Sequence, residues 1–467
     1  MYKIILAFRY LLKRRISYFA LFAVALCVFV VLVVMTVLSS LTADFKEKTH
    51  RITGDCVISS RSLAGFPYYE DFLKTLEKQD IVEAVSPVIK SYAIVKTPQN
   101  EQTLKIVGID PCSHNRTTGF SDFLYYKNFT PLEKVADFNS DGKKTLTGYP
   151  DAGSIFTPAS DTNMPAVIAG IAVMFDRNSG GKYNAPISLP TTEITITSFP
   201  ITAKGTLERA GTSVVASKTF VLGNVVQTGC SADWENIYLS FNDAQNLCGL
   251  AGEPKRANAI HIKFSKGVDI NKGCAKIDSL WREFAGQNKD LAYSNLFKNV
   301  SVQNWRDYNR TTIAVAETQQ ALMIIVFAMI GVITVFIVFV VFYMIVCHKS
   351  RDIGILKSVG ASNGDLMAVF MVFAFLTGLL GSAIGSLAGW RFLVHINQIE
   401  GWLFRHFNFQ LWDRTIYAIG DIPNKIDLSV LAIIILSAIA ACLLGAFIPS
   451  RQAAKTDAVK TLQVNRL

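Results

Sequence analysis

The sequence predicts an α-helical membrane protein with four transmembrane helices in a one-plus-three layout and a large extracytoplasmic α+β domain between the first and the second. Three observations carry this reading. Four charge-free apolar runs, 16–43, 321–347, 366–390 and 428–450, each exceed the ~20 residues a helix needs to cross a bilayer. A mostly polar stretch, 44–320, separates the first run from the second and is long enough for a folded domain. The positive charge gathers in the short segments next to the runs.

Residues 1–15 form a basic cytoplasmic N-terminus with Lys3, Arg9, Lys13, Arg14 and Arg15. The 16–43 run is longer than a signal-peptide core, and no small-x-small cleavage site precedes the polar domain, so it is expected to stay as an anchor. Lys349, Arg351 and Lys357 lie between spans two and three, while Arg451, Lys455, Lys460 and Arg466 form the 451–467 tail's charge. Only Asp352, Asp365 and Asp457 oppose them, so nine of the ten net positive charges sit on one face of a four-span topology. The 391–427 loop instead balances Arg391, Arg405, Arg414 and Lys425 with Glu400, Asp413, Asp421 and Asp427. The positive-inside rule then puts both termini in the cytoplasm and the large domain outside. Topology accounts for the basic charge, and no nucleic-acid partner is expected.

The 44–320 domain reads as two flanking α/β portions around a β-rich insert at 120–229. A strand at 56–59 precedes a helix at 68–79; β-patterned stretches at 92–95 and 103–107 follow, the second ending in a turn at Gly108, Ile109, Asp110 and Pro111. Ile260, Ile262 and Phe264 alternate with His261 and Lys263, the period of a half-buried strand. A helix with Leu280, Trp281 and Phe284 comes next, then a strand into Trp305. Within the insert, 192–197 and 213–222 alternate as strands. Cys56, Cys112, Cys230, Cys248 and Cys274 fall in this domain, where oxidation is permitted; the odd number leaves at least one unpaired there. Cys27, Cys347 and Cys442 lie in or beside spans, where a small hydrophobe is the simplest reading. No C-x-x-C occurs, and Cys112 with His114 is too small a set for a metal, so no metal site is expected.

Both junctions between domain and spans read as helical stalks. Leu41, Phe45 and Ile52 share a face after span one, and Trp305, Tyr308, Thr312 and Ala316 step by three or four before span two. In the 348–365 loop, Ile353, Leu356 and Val359 are read as one side of a short helix, with Arg351, Asp352 and Lys357 around the rest. Gly360 supplies the left-handed residue that stops it. Ser362, with Asp365 three residues on, caps the next helix. Apolar residues on so short a loop suit docking into a partner; a helix lying on lipid headgroups is the alternative that periodicity leaves open.

The stretch RDIGILKSVGA at 351–361 closely resembles the signature loop of the FtsX-like, or MacB-like, ABC-transporter permeases. The one-plus-three layout matches as well, and PSRQAAKTDAVKTL at 449–462 resembles the family's tail, with Asp457 where relatives usually carry proline. VQNW at 302–305, YAIGDIP at 417–423, GIDP at 108–111 and DAQ at 243–245 are similar to segments of the lipoprotein-releasing branch. The resemblance covers both ends and the flanking parts of the domain; the insert is outside it. It implies an FtsX-like domain at 321–460 in a permease subunit of a bacterial inner membrane, served by a cytoplasmic ABC ATPase dimer that binds the ATP and Mg. This chain would bind no cofactor itself. It further implies a second permease copy or paralogue, a lipoprotein substrate and a periplasmic carrier. Arg351, Asp352, Ile353, Gly354, Leu356, Lys357, Val359 and Gly360 would then couple to the ATPase. A signalling permease controlling a cell-wall hydrolase and a MacB-type efflux permease are the alternatives.

Within the spans, Gly381, Gly385 and Gly389 form two overlapping G-x-x-x-G steps, and Ser437, Ala441 and Gly445 repeat the spacing with small residues. Such faces let helix backbones approach closely in lipid. Span four is expected to pack within the chain; for span three, packing within the chain or across a dimer stays open. No ionisable residue lies deep in a span, which argues against a proton relay or an ion-coupled carrier. Val30, Val33, Val34 and Val37 are candidates to line a lipid-facing entrance, with membrane lipids as neighbours. The sequence has no G-x-x-x-x-G-K-[ST] or H-E-x-x-H motif, so no enzyme activity is expected.

Overall fold

The computed structural model describes residues 15–98, 100–124, 164–177, 192–207, 215–348, 350–407 and 426–455, together with 156, 183–184, 422 and 424. These divide into two compact units, a helical one built from 15–43, 314–407 and 422–455, and a sheet domain built from 44–313. Helix α1 (Arg15–Thr53) opens the chain. At 1.5 Å per residue its 39 residues make roughly 58 Å of helix, against a hydrocarbon core about 30 Å thick. Its last turns therefore extend past any span.

The sheet domain follows as β1 (Cys56–Ser60), α2 (Tyr69–Glu77), β2 (Val82–Lys96), β3 (Glu101–Ile109), α3 (Pro111–Thr118), β4 (Ala166–Gly170), β5 (Glu193–Ser198), β6 (Ala216–Val226), β7 (Asn236–Ser240), α4 (Phe241–Leu247), β8 (Ala259–Phe264), α5 (Ile270–Gln287), β9 (Val300–Asn304) and α6 (Trp305–Tyr308). The nine strands order as β9-β1-β8-β2-β3-β7-β4-β6-β5, and β5 pairs back onto β2. Strand β2 makes this possible by its length. Val82–Val88 pair with β8, while Ala93–Lys96 pair with β5 on the same side and with β3 on the other. The six strands from β2 round to β5 thus close on themselves, which leaves no free edge along that part of the sheet. Segment 120–229, read as an insert, contributes β4, β5 and β6 to this ring. Thr195 faces Thr219 and Thr197 faces Ser217 across β5 and β6, with hydroxyls 3.2 and 2.9 Å apart, so the polar alternation seen in the sequence lies on their solvent side.

Helix α2 packs on β2, and α5 packs on β9 and β1. Phe72 and Leu76, four residues apart on α2, are fully buried, and Trp281 of α5 meets Phe66 and Phe72 edge-on with centroids 5.3 and 5.0 Å apart. Each such side chain removed from water stabilises the fold by about 1.5–3 kcal/mol. Gly108, expected in a turn, is instead part of β3. A Cβ there would lie 2.3 Å from the Cβ of Ala244, so α4 sits directly on the strand. The turn is replaced by α3: Asp110 Oδ2 accepts from Ser113 N at 2.9 Å, Pro111 takes the first helical position, and Gly119 ends the helix at φ +67°. Proline fits there because that N–H has no helical partner. Strand β8 also departs from the half-buried pattern. It runs between β1 and β2 with α3 on its other face, so His261 is buried along with Ile260 and Ile262.

The two helical junctions meet at one point of this domain. Gly54, at φ +80°, ends α1 with its N–H on His50 O at 2.8 Å, and a Cβ there would meet Ile262 O at 2.8 Å. The His50 ring stacks on Trp305 at 4.5 Å, and its Nε2 lies 2.8 Å from Asp55 Oδ1. Asp55 in turn accepts from Phe264 N and, through its backbone carbonyl, from Trp305 N. Asn309 donates to Thr53 Oγ1 at 3.0 Å. The end of α1 and the segment leading into the second span are held by one hydrogen-bonded knot.

Burial drives the His114 pKa down to about 3, with the Lys90 charge adding and Asp110 opposing. Burial, then Lys90 and His114, hold His261 well below 6.5 as well. The unfolded chain binds these protons below about pH 6.5 and the folded protein does not, so stability is complete above that pH and falls as pH drops. His114 alone should cost about 2 kcal/mol at pH 5. Thermal unfolding of the full chain in nonionic detergent should show a midpoint falling between pH 7.5 and 5, less steeply in His114→Gln. Equal slopes in both proteins would refute this.

The helical unit continues with α7 (Arg310–His348), α8 (Ser350–Ser358), α9 (Asn363–Phe407) and α10 (Leu428–Lys455). Helices α1, α7, α9 and α10 are long and apolar enough to cross a membrane. Helix α9 runs well beyond the expected span end at 390, so the first part of the 391–427 loop is helix. Arg391 ends the apolar window without ending the helix, because Leu393 and Ile396 still pack on the helical core and Glu400 is buried. Asn397 holds the returning chain, accepting from Ile422 N at 2.8 Å and donating to Ile422 O at 3.3 Å. Helix α10 likewise continues to Lys455, past the expected end at 450, with Ala453 and Ala454 buried.

Candidate functional site

Helix α8 occupies most of the connection between α7 and α9. It closes with Val359 N on Ile355 O at 3.2 Å and Gly360 N on Lys357 O at 3.0 Å. Gly360 has φ +99°, a conformation that costs glycine least. Ser362 Oγ then accepts from Asp365 N at 3.1 Å and donates to Asp365 Oδ2 at 2.7 Å, while Ser362 N donates to the same carboxylate at 3.3 Å. This reciprocal cap starts α9 without a linker, as the sequence predicts.

The apolar residues of this loop divide between two faces. Ile353 is 3% exposed and belongs to the helical core with Val346, Leu366 and Phe370; Gly354 beside it is buried. Ile355 and Val359 are 48% and 83% exposed. The expectation that Ile353 and Val359 share an outward face is therefore corrected. At 3.6 residues per turn, Val359 lies about 40° from Ile355 and roughly 120° from Ile353. Ile353 anchors α8 to the spans, and Ile355 with Val359 makes the outward apolar pair. Lys357 is half-buried. Arg351, Asp352 and Leu356 lie in α8, but their side chains are outside the described residues, as are 1–14, 417–421, 423, 456–467 and much of 120–229.

The small residues of the spans find partners within the chain. A Cβ on Gly381 would lie 2.9 Å from Val24 Cγ1, one on Gly385 would lie 2.4 Å from Ala25 O, and one on Gly389 would lie 2.8 Å from Leu32 Cδ2. The three glycines therefore receive α1 within the chain. Gly378, not singled out in the sequence, lets α10 approach: its Cβ would lie 3.1 Å from Ile439 Cα. On α10, Gly445 receives α7, with Val335 O 2.7 Å from a built Cβ. Ala441 is half-buried, and Ser437 turns its hydroxyl onto Ile434 O at 2.8 Å. The contacts run α1–α9–α10–α7. On α1, Val30 is exposed and Val34 half-buried, while Val33 and Val37 pack partly against the core.

In the sheet domain, Lys90, His114 and His261 come together although the sequence reading left them apart. The signal available was a histidine and a lysine on alternating strands, which reads equally as a solvent face. Among the described residues no group of three or more His, Cys, Asp or Glu is placed to hold a metal, and all eight cysteines are thiols.

A family model described as FtsX-like permease C-terminal matches residues 324–458, which include α8, α9 and α10. The chain thus carries an FtsX-like permease domain, and its homologues are lipoprotein-releasing and MacB permeases. The lipoprotein-releasing system transmembrane protein LolC of Neisseria meningitidis is 25% identical over 164 residues, 35% of this chain and 40% of that protein. The chain therefore spans less than half the length of that relative. LolE of Haemophilus influenzae, of the same system, is 18% identical over 96% of this chain and 94% of its own length. A probable export ATP-binding/permease protein MacB of Pseudomonas entomophila is 23% identical over 76% of this chain and 48% of its length.

Proposed function

We propose that this chain is a permease subunit of an ABC transporter that releases lipoproteins from the inner membrane. Both termini and α8 face the cytoplasm, and the sheet domain faces the periplasm. The observation that carries the reading is α8 in its setting: a nine-residue helix, anchored by Ile353 and stopped at Gly360 just before the Ser362 cap, offers Ile355 and Val359 outward within the FtsX-like domain. Energy enters there from a separate ATPase dimer, which binds the ATP and Mg, and a second permease copy or paralogue completes the unit. The knot at Gly54, Asp55 and Trp305 gives the stalk segments a firm grip on the sheet domain. The near-full-length alignment with a lipoprotein-releasing permease favours lipoprotein as cargo and a periplasmic carrier as acceptor. Extracting an acyl anchor costs about 0.8 kcal/mol per methylene, so release into water needs a driven step.

Export of another substrate is the second reading, favoured by the alignment of 76% of the chain with a MacB protein. Depleting the protein and fractionating the membranes separates the two. Acylated outer-membrane lipoproteins should accumulate in the inner membrane. Unchanged delivery together with new antibiotic sensitivity would point to export, and unchanged delivery with defective septation to control of a cell-wall hydrolase.

A further inference from the structure

The sheet domain holds a cavity of about 380 Å³ that opens among β2, β3, β7 and β8 and is walled by the last turns of α1 and by Tyr308. Its polar lining brings Lys90, Lys105, His114, His261 and Tyr308 together with the Glu235 carboxylate and several hydroxyls and amides. Lys90 Nζ lies 2.7 Å from Tyr308 Oη and 3.1 Å from His261 Nε2, and 4.6 Å from the Tyr308 ring centre. An ammonium only donates, so both partners must accept. His261 Nε2 is then the bare nitrogen, and the ring hydrogen sits on Nδ1, which is buried with no partner. The Tyr308 hydroxyl, having accepted from Lys90, keeps its hydrogen to give. Lys105 and Glu235, also in the lining, pair with each other. Lys90 is half-buried and has no carboxylate within ion-pair distance among the described residues. A desolvated cation without a counter-charge is costly, and a bound anion would remove that cost. The lining also includes the apolar side chains of Phe45 and Ile52 on α1 and of Val107, which pairs with Lys90 across β2 and β3.

We infer that this cavity binds an anionic head group, carboxylate or phosphate, at Lys90 and Tyr308, with the apolar lining taking the start of an attached acyl chain. Lys90 supplies the charge and Tyr308 the hydroxyl hydrogen; His261, through Nε2, fixes the ammonium in place. The inference does not depend on what the chain transports, since it is read on purified full-length protein with no ATPase present.

The test is equilibrium dialysis of the protein in nonionic detergent against radiolabelled laurate, and separately against inorganic phosphate. Saturable laurate binding should appear, at least tenfold weaker in Lys90→Met and about threefold weaker in Tyr308→Phe, which keeps the ring. Phosphate binding with the same Lys90 dependence, displacing laurate at similar concentration, would support the anion site and make a free anion its source. Laurate binding that phosphate does not displace would make it a lipid. A thermal midpoint raised by laurate in wild type but not in Lys90→Met gives a second readout. Absence of saturable binding for both probes, or binding unchanged in Lys90→Met and Tyr308→Phe, overturns the inference.

Discussion

A Val359→Asp variant is expected to insert and fold as wild type does, and to lose ATPase recruitment and substrate-stimulated ATP hydrolysis by at least about a hundredfold. Val359 is 83% exposed, so a carboxylate there is solvated in the free chain and costs the fold nothing of note. In a docked complex the same carboxylate would be buried without a partner. That costs several kcal/mol, and about 2.7 kcal/mol suffices for a hundredfold loss of affinity. Ile355→Asp should behave alike, because the two residues share a face. Ile353→Asp should behave differently: it places the charge in the helical core and should lower the amount of folded protein. Co-purification of the ATPase and its turnover in membranes distinguish these outcomes. Normal recruitment and turnover in both Val359→Asp and Ile355→Asp would remove α8 as the coupling element.

That contrast also marks how far the sequence could be read. The short helix, its stop at Gly360 and the Ser362–Asp365 cap were legible because each rests on local chemistry: a left-handed glycine and a reciprocal side-chain cap. Which apolar residue faces inward was not, since a nine-residue helix with apolar side chains on two faces gives no period strong enough to choose. The spans were legible from length and hydropathy, but their ends were not. Arg391 breaks an apolar window while Leu393 and Ile396 keep the helix packed, so the charge marks a change of surroundings and not of backbone.

In the sheet domain, the strand at 193–198 showed through its alternation, and its burial alternates as a one-sided strand must; the strand at 56–60 was placed without such a pattern, and Cys56, Val57 and Ile58 are all buried. Strand β8 was placed correctly but misread as half-buried, because His261 is a polar residue inside the protein whose Nε2 is satisfied by Lys90 from a neighbouring strand. No local pattern reports such a partner. The ring closure through β2 and β5 was equally out of reach: it joins Ala93–Lys96 to Thr195–Ser198, residues a hundred positions apart. Helix α3 was within reach, since Asp110, Pro111 and Gly119 are the ordinary signals for a helix start and stop, and eight residues were too few to stand out.

The second large effect belongs to the glycines of α9, and its size should follow the neighbour each one admits. At Gly385 a Cβ meets the backbone oxygen of Ala25 at 2.4 Å and Val28 Cβ at 2.9 Å. A backbone carbonyl in a helix cannot swing aside, so even Gly385→Ala must push α1 and α9 apart, and overpacking of this kind costs about 1–3 kcal/mol. Gly385→Leu should prevent the two helices from meeting and leave little folded protein. At Gly389 the obstacle is Leu32 Cδ2 at 2.8 Å, the far end of a flexible side chain, so Gly389→Ala should cost less. Gly331 on α7 has nothing within 4 Å of a built Cβ. Gly331→Ala should be neutral or mildly stabilising, because alanine favours the helix by up to about 1 kcal/mol. Thermal unfolding in one detergent should therefore rank the midpoints as Gly331→Ala, then Gly389→Ala, then Gly385→Ala, with Gly385→Leu lowest. If α9 instead used these glycines against a second copy, dissociating the oligomer would erase the ranking. A Gly385→Ala midpoint equal to that of Gly331→Ala in the monomer would mean that α1 is not the helix they receive.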